Sequence, residues 1–309
     1  MSDTAIDDDL LFDSFDGAEF VESVSGFSRL VVAFSGGVDS SVLLHLVQRV
    51  LATRIAAQSV AVSALHVNHQ LHANSVDWAA HCQRYCDDLA IPLTIETVNV
   101  CADEGNLESR ARQARYRVFE QQVDCDTVLV TAHHADDQAE TLIFRLLRGA
   151  GIHGATAMPK ARKLGAGTLY RPLLRCRREQ LIAYAHKHDL RYLNDPSNDN
   201  LQFDRNYLRH RVMPNLSARW HQAVANLNRF SEHAAEAAEL LDQLARDDIV
   251  AAFVGQDAYG VSLDIDAINT LSDLRKKNAL RCWLRQHCGV ALSRVDTRAL
   301  LLLFEQAQS

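Results

Sequence analysis

The 309 residues carry 48% hydrophobic and 23% charged side chains, an ordinary balance for a globular protein of about two domains. A run of about 18 apolar residues is missing, which excludes a membrane-spanning helix. Seven irregularly spaced cysteines without a Cys-x-x-Cys pair argue for a reduced, cytoplasmic protein rather than a disulfide scaffold. The net charge of −7 hides an asymmetry: eight acids (Asp3, Asp7, Asp8, Asp9, Asp13, Asp16, Glu19 and Glu22) precede the first base, Arg29, and without them −7 becomes +1.

That acidic stretch, residues 1–28, lacks the basic-then-apolar order of a signal peptide and reads as a disordered tail. Strand-like Val31–Phe34 then leads into Ser35-Gly36-Gly37-Val38-Asp39-Ser40-Ser41, and an apolar-periodic helix follows from Val42. A glycine-rich turn opening a helix suits a phosphate, because free N–H groups and the positive dipole end meet there. The segment has neither the lysine of a Walker loop nor the Gly-x-Gly-x-x-Gly of a dinucleotide fold, so it indicates a different kind of nucleotide user. Its serines offer hydroxyl donors, and Asp39 is a candidate cation ligand.

Further on, Val60–Val67, Leu93–Val98 and Thr127–Ala132 read as buried strands. Between and after them, Ser75–Ala90, Leu107–Gln122 (capped by Asn106) and Asp136–Arg148 read as helices. This alternation predicts an α/β fold, doubly wound around a mostly parallel sheet, with ligands at the carboxyl ends of the strands. The strand ends are the chemically rich places. His66 and His69 lie at the end of the second strand. Thr131-Ala-His133-His134-Ala-Asp136-Asp137-Gln-Ala-Glu140-Thr141 follows the fourth and places three acids in the first turn of a helix. The bland explanation is an acidic cap. The sharper one is a site for Mg²⁺, which takes one or two carboxylates plus phosphate oxygens, beside a cationic amine.

In the Leu107–Gln122 helix, Arg112 and Arg115 are three apart and can share a face, where two guanidiniums suit a phosphate; Glu108 is placed to pair with Arg112 instead. Gly149 is the expected C-terminal cap of the next helix, and the continuation reads as basic loop. Residues 145–178 hold nine bases and no acid, the charge footprint of polyanion binding or simply a solvated basic face. Asp195-Pro-Ser-Asn198 is a turn by composition. Phe203 and Tyr207, interleaved with Arg205, Arg209 and Arg211, suit base stacking or an ordinary amphipathic helix. From about residue 216 the texture turns helical over 215–250, 271–287 and 298–308, with one strand-like piece at Gly260–Ile265. Three regions are therefore expected: an acidic segment 1–28, a nucleotide-binding domain 29–215, and a helical substrate-binding domain 216–309.

Ser35–Ser41 resembles the PP-loop of the N-type ATP pyrophosphatases, which split ATP into AMP and pyrophosphate. Together with His66-Val-Asn-His69, Asn106-Leu-Glu108 through Arg112 and Arg115-Tyr116, the His133–Thr141 segment, Arg145, Arg148-Gly149, Arg171-Pro-Leu-Leu, Asp195-Pro-Ser-Asn198 and Arg205-Asn206 through Arg209, the chain resembles the tRNA(Ile)-lysidine synthetase family over about residues 29–212. The resemblance implies a Rossmann-like PP-loop domain and a cytoplasmic ligase. With ATP, Mg²⁺ and free L-lysine, it would convert the wobble cytidine of the CAU anticodon of isoleucine tRNA to lysidine through an adenylated cytidine. It also implies roles. ATP is held by Ser35, Gly36, Gly37, Val38, Asp39, Ser40, Ser41, His66 and His133, and the metal by Asp39 and Asp136. Arg112 and Arg115 face the α-phosphate, and Asp137 and Glu140 receive the lysine amine. Arg145, Arg148, Arg171, Arg205, Asn206 and Arg209 face the tRNA. A homodimer is one expectation for an otherwise open oligomeric state, and many family members continue into a C-terminal tRNA-binding domain, so a truncated member is another. The alternatives are a different PP-loop tRNA-modifying adenylating enzyme, or a non-catalytic ATP- or tRNA-binding relative.

Overall fold

The computed structural model describes residues 15–50, 60–99, 107–257 and 260–287. Contacts divide the chain into two units, one of residues 1–140 and 158–225, the other of residues 141–157 and 226–309.

In the first unit, helix α1 (Gly17–Val24) begins at Asp16, whose carboxylate accepts the amides of Ala18 at 2.8 Å and Glu19 at 2.9 Å. Phe15, Phe20 and Val24 are buried with Leu30 and Val32, so residues 15–28 are not the disordered tail their acidity suggested. The acids occupy the wet side of a helix whose apolar side is in the core. Residues 1–14 lie outside the described residues, as do the Asn106 cap and the 298–308 segment.

The parallel strands β1 (Arg29–Ala33), β2 (Ala61–Asn68), β3 (Leu93–Thr97) and β4 (Thr127–Val130) alternate with α2 (Val38–Val50), α3 (Ser75–Asp88), α4 (Leu107–Gln122) and α5 (Ala135–Leu147). Each lies within a few residues of its sequence-based span. β4 is buried at every position, the pattern of a strand covered on both faces. One core cluster joins the β1 residues Leu30 and Val32 to α2, α3 and α7 (Arg178–Lys187); a second sets Val118 and Phe119 of α4 against Val31, Leu129 and Leu169.

The sheet order is β3-β2-β1-β4-β6-β5, where β5 (Ala161–Leu164) and β6 (Gly167–Tyr170) form a hairpin. β6 lies parallel to β4, while β5 is an antiparallel edge. The sequence reading took this stretch for loop. Its strands are four residues long, and the alternating Arg162 and Lys163 of a solvent-facing edge look like any basic loop. β1 is flanked by β2 and β4, so the chain reverses direction across the sheet there. The crevice beyond the ends of β1 and β4 is where a doubly wound sheet binds ligands.

Short helices follow α7: α8 (Asp204–Tyr207), a π-helical turn over Leu208–Val212, and α9 (Met213–Arg219). In the second unit, α6 (Ile152–Ala155) and the end of α5 contribute Ala155, Ala157 and Leu142 to a cluster with Ala234 of α10 (Ala223–Ala251). The strands β7 (Phe253–Asp257) and β8 (Gly260–Leu263) pair antiparallel, and α11 (Ile265–Asn269) and α12 (Asp273–His287) complete it. Ala245 and Ile249 of α10 pack against Ala279 and Cys282 of α12. Beside them, buried Asp248 pairs with Arg275. Sequence reading caught β8 but not β7. No helix among the described residues is long and apolar enough to cross a membrane.

Candidate active site

The Ser35–Ser41 loop connects β1 to the first turn of α2. Gly36 adopts φ +83°, and a Cβ there would lie 2.9 Å from both Cys82 Sγ and Leu193 Cδ1. Only glycine meets both demands, since the conformation is left-handed and the space is taken. Behind the loop, the Leu193 amide donates to the Gly36 carbonyl at 2.8 Å. Gly36→Ala is therefore expected to lower stability by about 1–3 kcal/mol and to weaken ATP binding; urea unfolding and equilibrium dialysis measure both.

The loop serines hold its shape. Ser40 Oγ donates to the Gly37 carbonyl at 3.0 Å and lies 3.0 Å from Ser35 Oγ, and the Gly37 amide donates to Ser35 Oγ at 3.4 Å. Ser41 is fully buried, and Tyr85 donates to its carbonyl at 3.1 Å. Of the hydroxyls expected on phosphate, Ser35 alone is exposed; Ser40 is spent within the turn. His66 Nδ1 donates to the Phe34 carbonyl at 2.9 Å, which ties β2 to the loop entrance, and burial lowers its pKa.

Beyond β4, residues 133–140 form an acid–base cluster. His134, fully buried, precedes α5 and makes a reciprocal cap with Asp137: the Asp137 amide donates to His134 Nδ1 at 3.3 Å, and the His134 amide to Asp137 Oδ2 at 3.1 Å. His134 Nε2 lies 3.4 Å from Asp137 Oδ2 and 3.7 Å from Asp39 Oδ2, so this side chain joins the PP-loop to α5. Burial disfavours its protonation, but Asp137, Asp39 and Asp136 outweigh that and raise its pKa. The sequence places His133 at the nucleotide and assigns its neighbour His134 no role of its own. The usable signal was its place three residues before Asp137, at a helix start.

The four carboxylates have different surroundings. Asp39 Oδ1 is buried with no hydrogen-bond partner. Asp136 has both oxygens occupied, by Arg177 Nε at 3.2 Å, Arg177 Nη2 at 3.2 Å and the Arg178 amide at 2.8 Å. Asp137 accepts from Arg209 Nη2 at 2.6 Å, and Glu140 is gripped by Arg209 through Nε at 2.8 Å and Nη2 at 3.0 Å. Arg205 stands further off, 3.5 Å from Asp137 and 3.7 Å from Glu140. Burial would raise the Asp137 pKa, yet His134, Arg205 and Arg209 hold it far below the carboxylate range. The acids expected to meet an amine thus already carry arginines, and two arginines expected at the tRNA turn inward onto them. Asn206 also faces the protein: its amide donates to the Ser197 carbonyl at 2.9 Å and the Asn200 carbonyl at 3.0 Å, pinning the Asp195–Asn198 turn.

A Mg²⁺ ion fits Asp39, which has a free buried oxygen beside the loop. Asp136 would first have to release Arg177. No group of three or more His, Cys, Asp or Glu suited to a metal occurs among the described residues.

The other half of the crevice is cationic. Arg112 bonds the Tyr116 hydroxyl, the charge of Arg171 acts on the same phenol, and Arg115 acts on His69. His133 is bonded to Thr131 Oγ1 at 2.8 Å. Its pKa is pushed down to about 3, by burial above all and then by Arg171, Arg205 and Arg112 against the pull of Asp137. Because the unfolded chain protonates His133 first, stability falls as pH drops below about 6.5. His133→Gln is expected to recover about 1–2 kcal/mol of the stability that the wild type loses between pH 7 and 5, measured by urea unfolding at each pH. In the second unit, Arg145 Nη1 donates to the Gly154 carbonyl at 3.2 Å and the Ala157 carbonyl at 2.5 Å, while Arg148 is exposed, its guanidinium 5.1 Å from the Phe144 ring.

Comparison with known proteins agrees with this geometry. Residues 15–216 match the family model described as "PP-loop domain", and residues 263–308 match "TilS substrate binding domain". The chain is 49% identical to the tRNA(Ile)-lysidine synthase of Pseudomonas fluorescens (strain Pf0-1) over 84% of its own length and 58% of that protein's. It is 42% identical to the tRNA(Ile)-lysidine synthase of Coxiella burnetii over 87% of its own length and 58% of that protein's. The chain thus spans less than two thirds of these curated relatives. Among solved structures, the U34-tRNA thiolase NcsA from Methanococcus maripaludis shares the fold, with TM-score 0.57 and 16% identity over 71% of this chain and 80% of that one. From the loop after β1 to the matched residues 15–216, sequence, geometry and comparison agree that the chain belongs to the PP-loop family, as a relative of the tRNA(Ile)-lysidine synthases.

Proposed function

We propose that this chain carries the catalytic part of a tRNA(Ile)-lysidine synthase. ATP adenylates the C2 oxygen of the wobble cytidine in a CAU anticodon and pyrophosphate leaves. The ε-amine of free lysine then attacks C2; the C–N bond forms as the C2–O bond to AMP breaks. The observation that carries this reading is the convergence, beyond β1 and β4, of a phosphate-shaped loop with the carboxylate cluster of Asp39, Asp137 and Glu140. The identity to annotated synthases supports it.

In this reading the loop amides from Gly36 to Asp39, with Ser35, hold the pyrophosphate portion of ATP. Asp39 holds Mg²⁺, which supplies charge neutralisation of the phosphates. Arg112 and Arg115 face the adenylate, whose developing charge they stabilise. His66 and His133, with lowered pKa values, stay neutral beside the nucleotide and add no further positive charge. Lysine's ammonium replaces Arg205 at Glu140 and Asp137, because Arg205 makes the longer contacts there and Arg209 the shorter ones. Holding amine and adenylate side by side supplies orientation. Arg148 and Tyr207, both exposed, are left for the tRNA.

The test incubates the protein with ATP, radiolabelled lysine and an isoleucine tRNA transcript bearing CAU. Label in the tRNA is the expected result. Pyrophosphate release without label would replace the lysidine reading with another adenylating reaction, and no ATP consumption at all would replace it with a binding role.

A further inference from the structure

Three arginines of the first unit gather at one phenol, and among the described residues no carboxylate pairs with them. Arg112 and Arg162 place their guanidinium carbons 4.9 Å and 5.2 Å from the Tyr116 ring centroid. Arg112 Nη2 donates to the Tyr116 hydroxyl at 3.3 Å, and the charge of Arg171, 2% exposed, acts on the same phenol and helps to lower its pKa. The remaining contacts of this trio are to carbonyls: Arg171 Nη1 donates to Pro159 at 2.6 Å and Arg162 Nη1 to Lys163 at 2.9 Å. Arg171 Nε is buried without a partner.

Among the described residues, none of the three makes an ion pair, whereas Arg177, Arg205 and Arg209 are all paired with carboxylates. A fold that keeps three like charges together and uncompensated stores repulsion that a bound anion relieves. Planar guanidiniums match the oxygens of a phosphate. The cluster also has a fixed place. Arg171 follows the last residue of β6, Arg162 is in register with Leu169 of the same strand, and Arg112 and Arg171 both act on His133. It therefore borders the crevice at the carboxyl end of β4.

We propose that Arg162, with Arg112 and Arg171 around Tyr116, forms a phosphate-binding site in which Arg162 is a substrate-positioning residue. The phosphate comes from the nucleotide or from the backbone of the RNA. This rests on the proposed function for the identity of the substrate, and on the uncompensated charge for the site itself. Tyr116 orients two of the three: its ring lies against Arg112 and Arg162, and its hydroxyl accepts from Arg112.

The experiment compares the full chain with Arg162→Ala and Arg162→Lys. It measures binding of the CAU-bearing transcript at several salt concentrations, ATP binding, and urea unfolding. Arg162→Ala is expected to weaken one ligand by about tenfold. If that ligand is RNA, the slope of log affinity against log salt becomes shallower by about one. Arg162→Lys should recover only part of the affinity, since it keeps the charge and loses the fork. The urea midpoint should hold or rise, because a like charge has been removed; a merely structural arginine would lower it. An RNA effect assigns the site to the backbone, an ATP effect to the nucleotide. Unchanged affinity for both overturns the proposal. Should the wild type bind no tRNA, the lysidine reading falls, and inorganic pyrophosphate becomes the probe. Thermal stabilisation by pyrophosphate that Arg162→Ala abolishes supports the site; equal stabilisation of both proteins, or none of either, overturns it.

Discussion

Asp39→Asn is expected to lower lysine transfer to the CAU-bearing transcript by about 10²–10³-fold while leaving the protein folded. The substitution keeps shape and removes charge. Asp39 Oδ1 is buried beside the loop with no partner, so no hydrogen bond is lost with its charge. The nearest charged group is His134, 3.7 Å away, which Asp137 continues to hold at 3.4 Å. A side chain that leaves one buried oxygen without a partner, while its other oxygen meets His134 at 3.7 Å, is placed for a ligand. Two measurements locate the defect. Pyrophosphate release should fall together with lysine transfer, because the lost charge acts on the adenylation half. Urea unfolding should stay within about 0.5 kcal/mol of wild type. Near-normal transfer would remove Asp39 from the metal site, and a large stability loss would make it a structural residue.

Arg209→Ala is expected to destabilise the fold by about 3–5 kcal/mol, the largest stability effect for a single side chain in this site. Glu140 is 3% exposed and depends on two bonds from Arg209; Asp137 accepts a third. Removing the arginine takes both hydrogen bonds from buried Glu140, which keeps only the longer 3.7 Å contact with Arg205, and leaves Asp137 to His134 and Arg205. The charges should behave as a pair in a double-mutant cycle. Arg209→Met combined with Glu140→Leu should recover most of the loss, since neither charge is then left unpartnered. Additive losses in the cycle would show that the two side chains stabilise the fold independently. Acid has a related effect. The depressed Asp137 pKa adds stability above the ordinary carboxylate value near 3.8, and that contribution disappears as pH falls through the folded value. Unfolding at low pH should therefore be shallower in a variant that lacks the Asp137 carboxylate.

The PP-loop, the parallel strands and the helices between them were legible because each is a local event. Glycines sit where a turn needs them, an apolar run precedes, and a helical period follows. Leu107–Gln122 and the segment after β4 were legible for the same reason. What escaped notice depended on partners far along the chain. The β5–β6 hairpin looked like basic loop, since a four-residue edge strand carries its signal in its neighbour. Phe15 and Phe20 looked like passengers in an acidic tail, although they belong to the core. Arg205 and Arg209 looked like RNA contacts, because arginines near aromatics read that way in isolation.

The sequence by itself determined the family and the alternation of strands and helices from β1 to α5, and it pointed to the ends of those strands as the chemically rich places. Tertiary structure alone decided which groups face which. Arg209 reaches Glu140 across 69 residues, Arg177 occupies Asp136 across 41, and Arg112, Arg162 and Arg171 collect near Tyr116 with no ion pair among the described residues. Periodicity reports which side of an element is buried, but the pairing of charges depends on how the elements pack. The same arginine can therefore neutralise a buried carboxylate or wait for a phosphate, and only its surroundings in the folded chain separate the two.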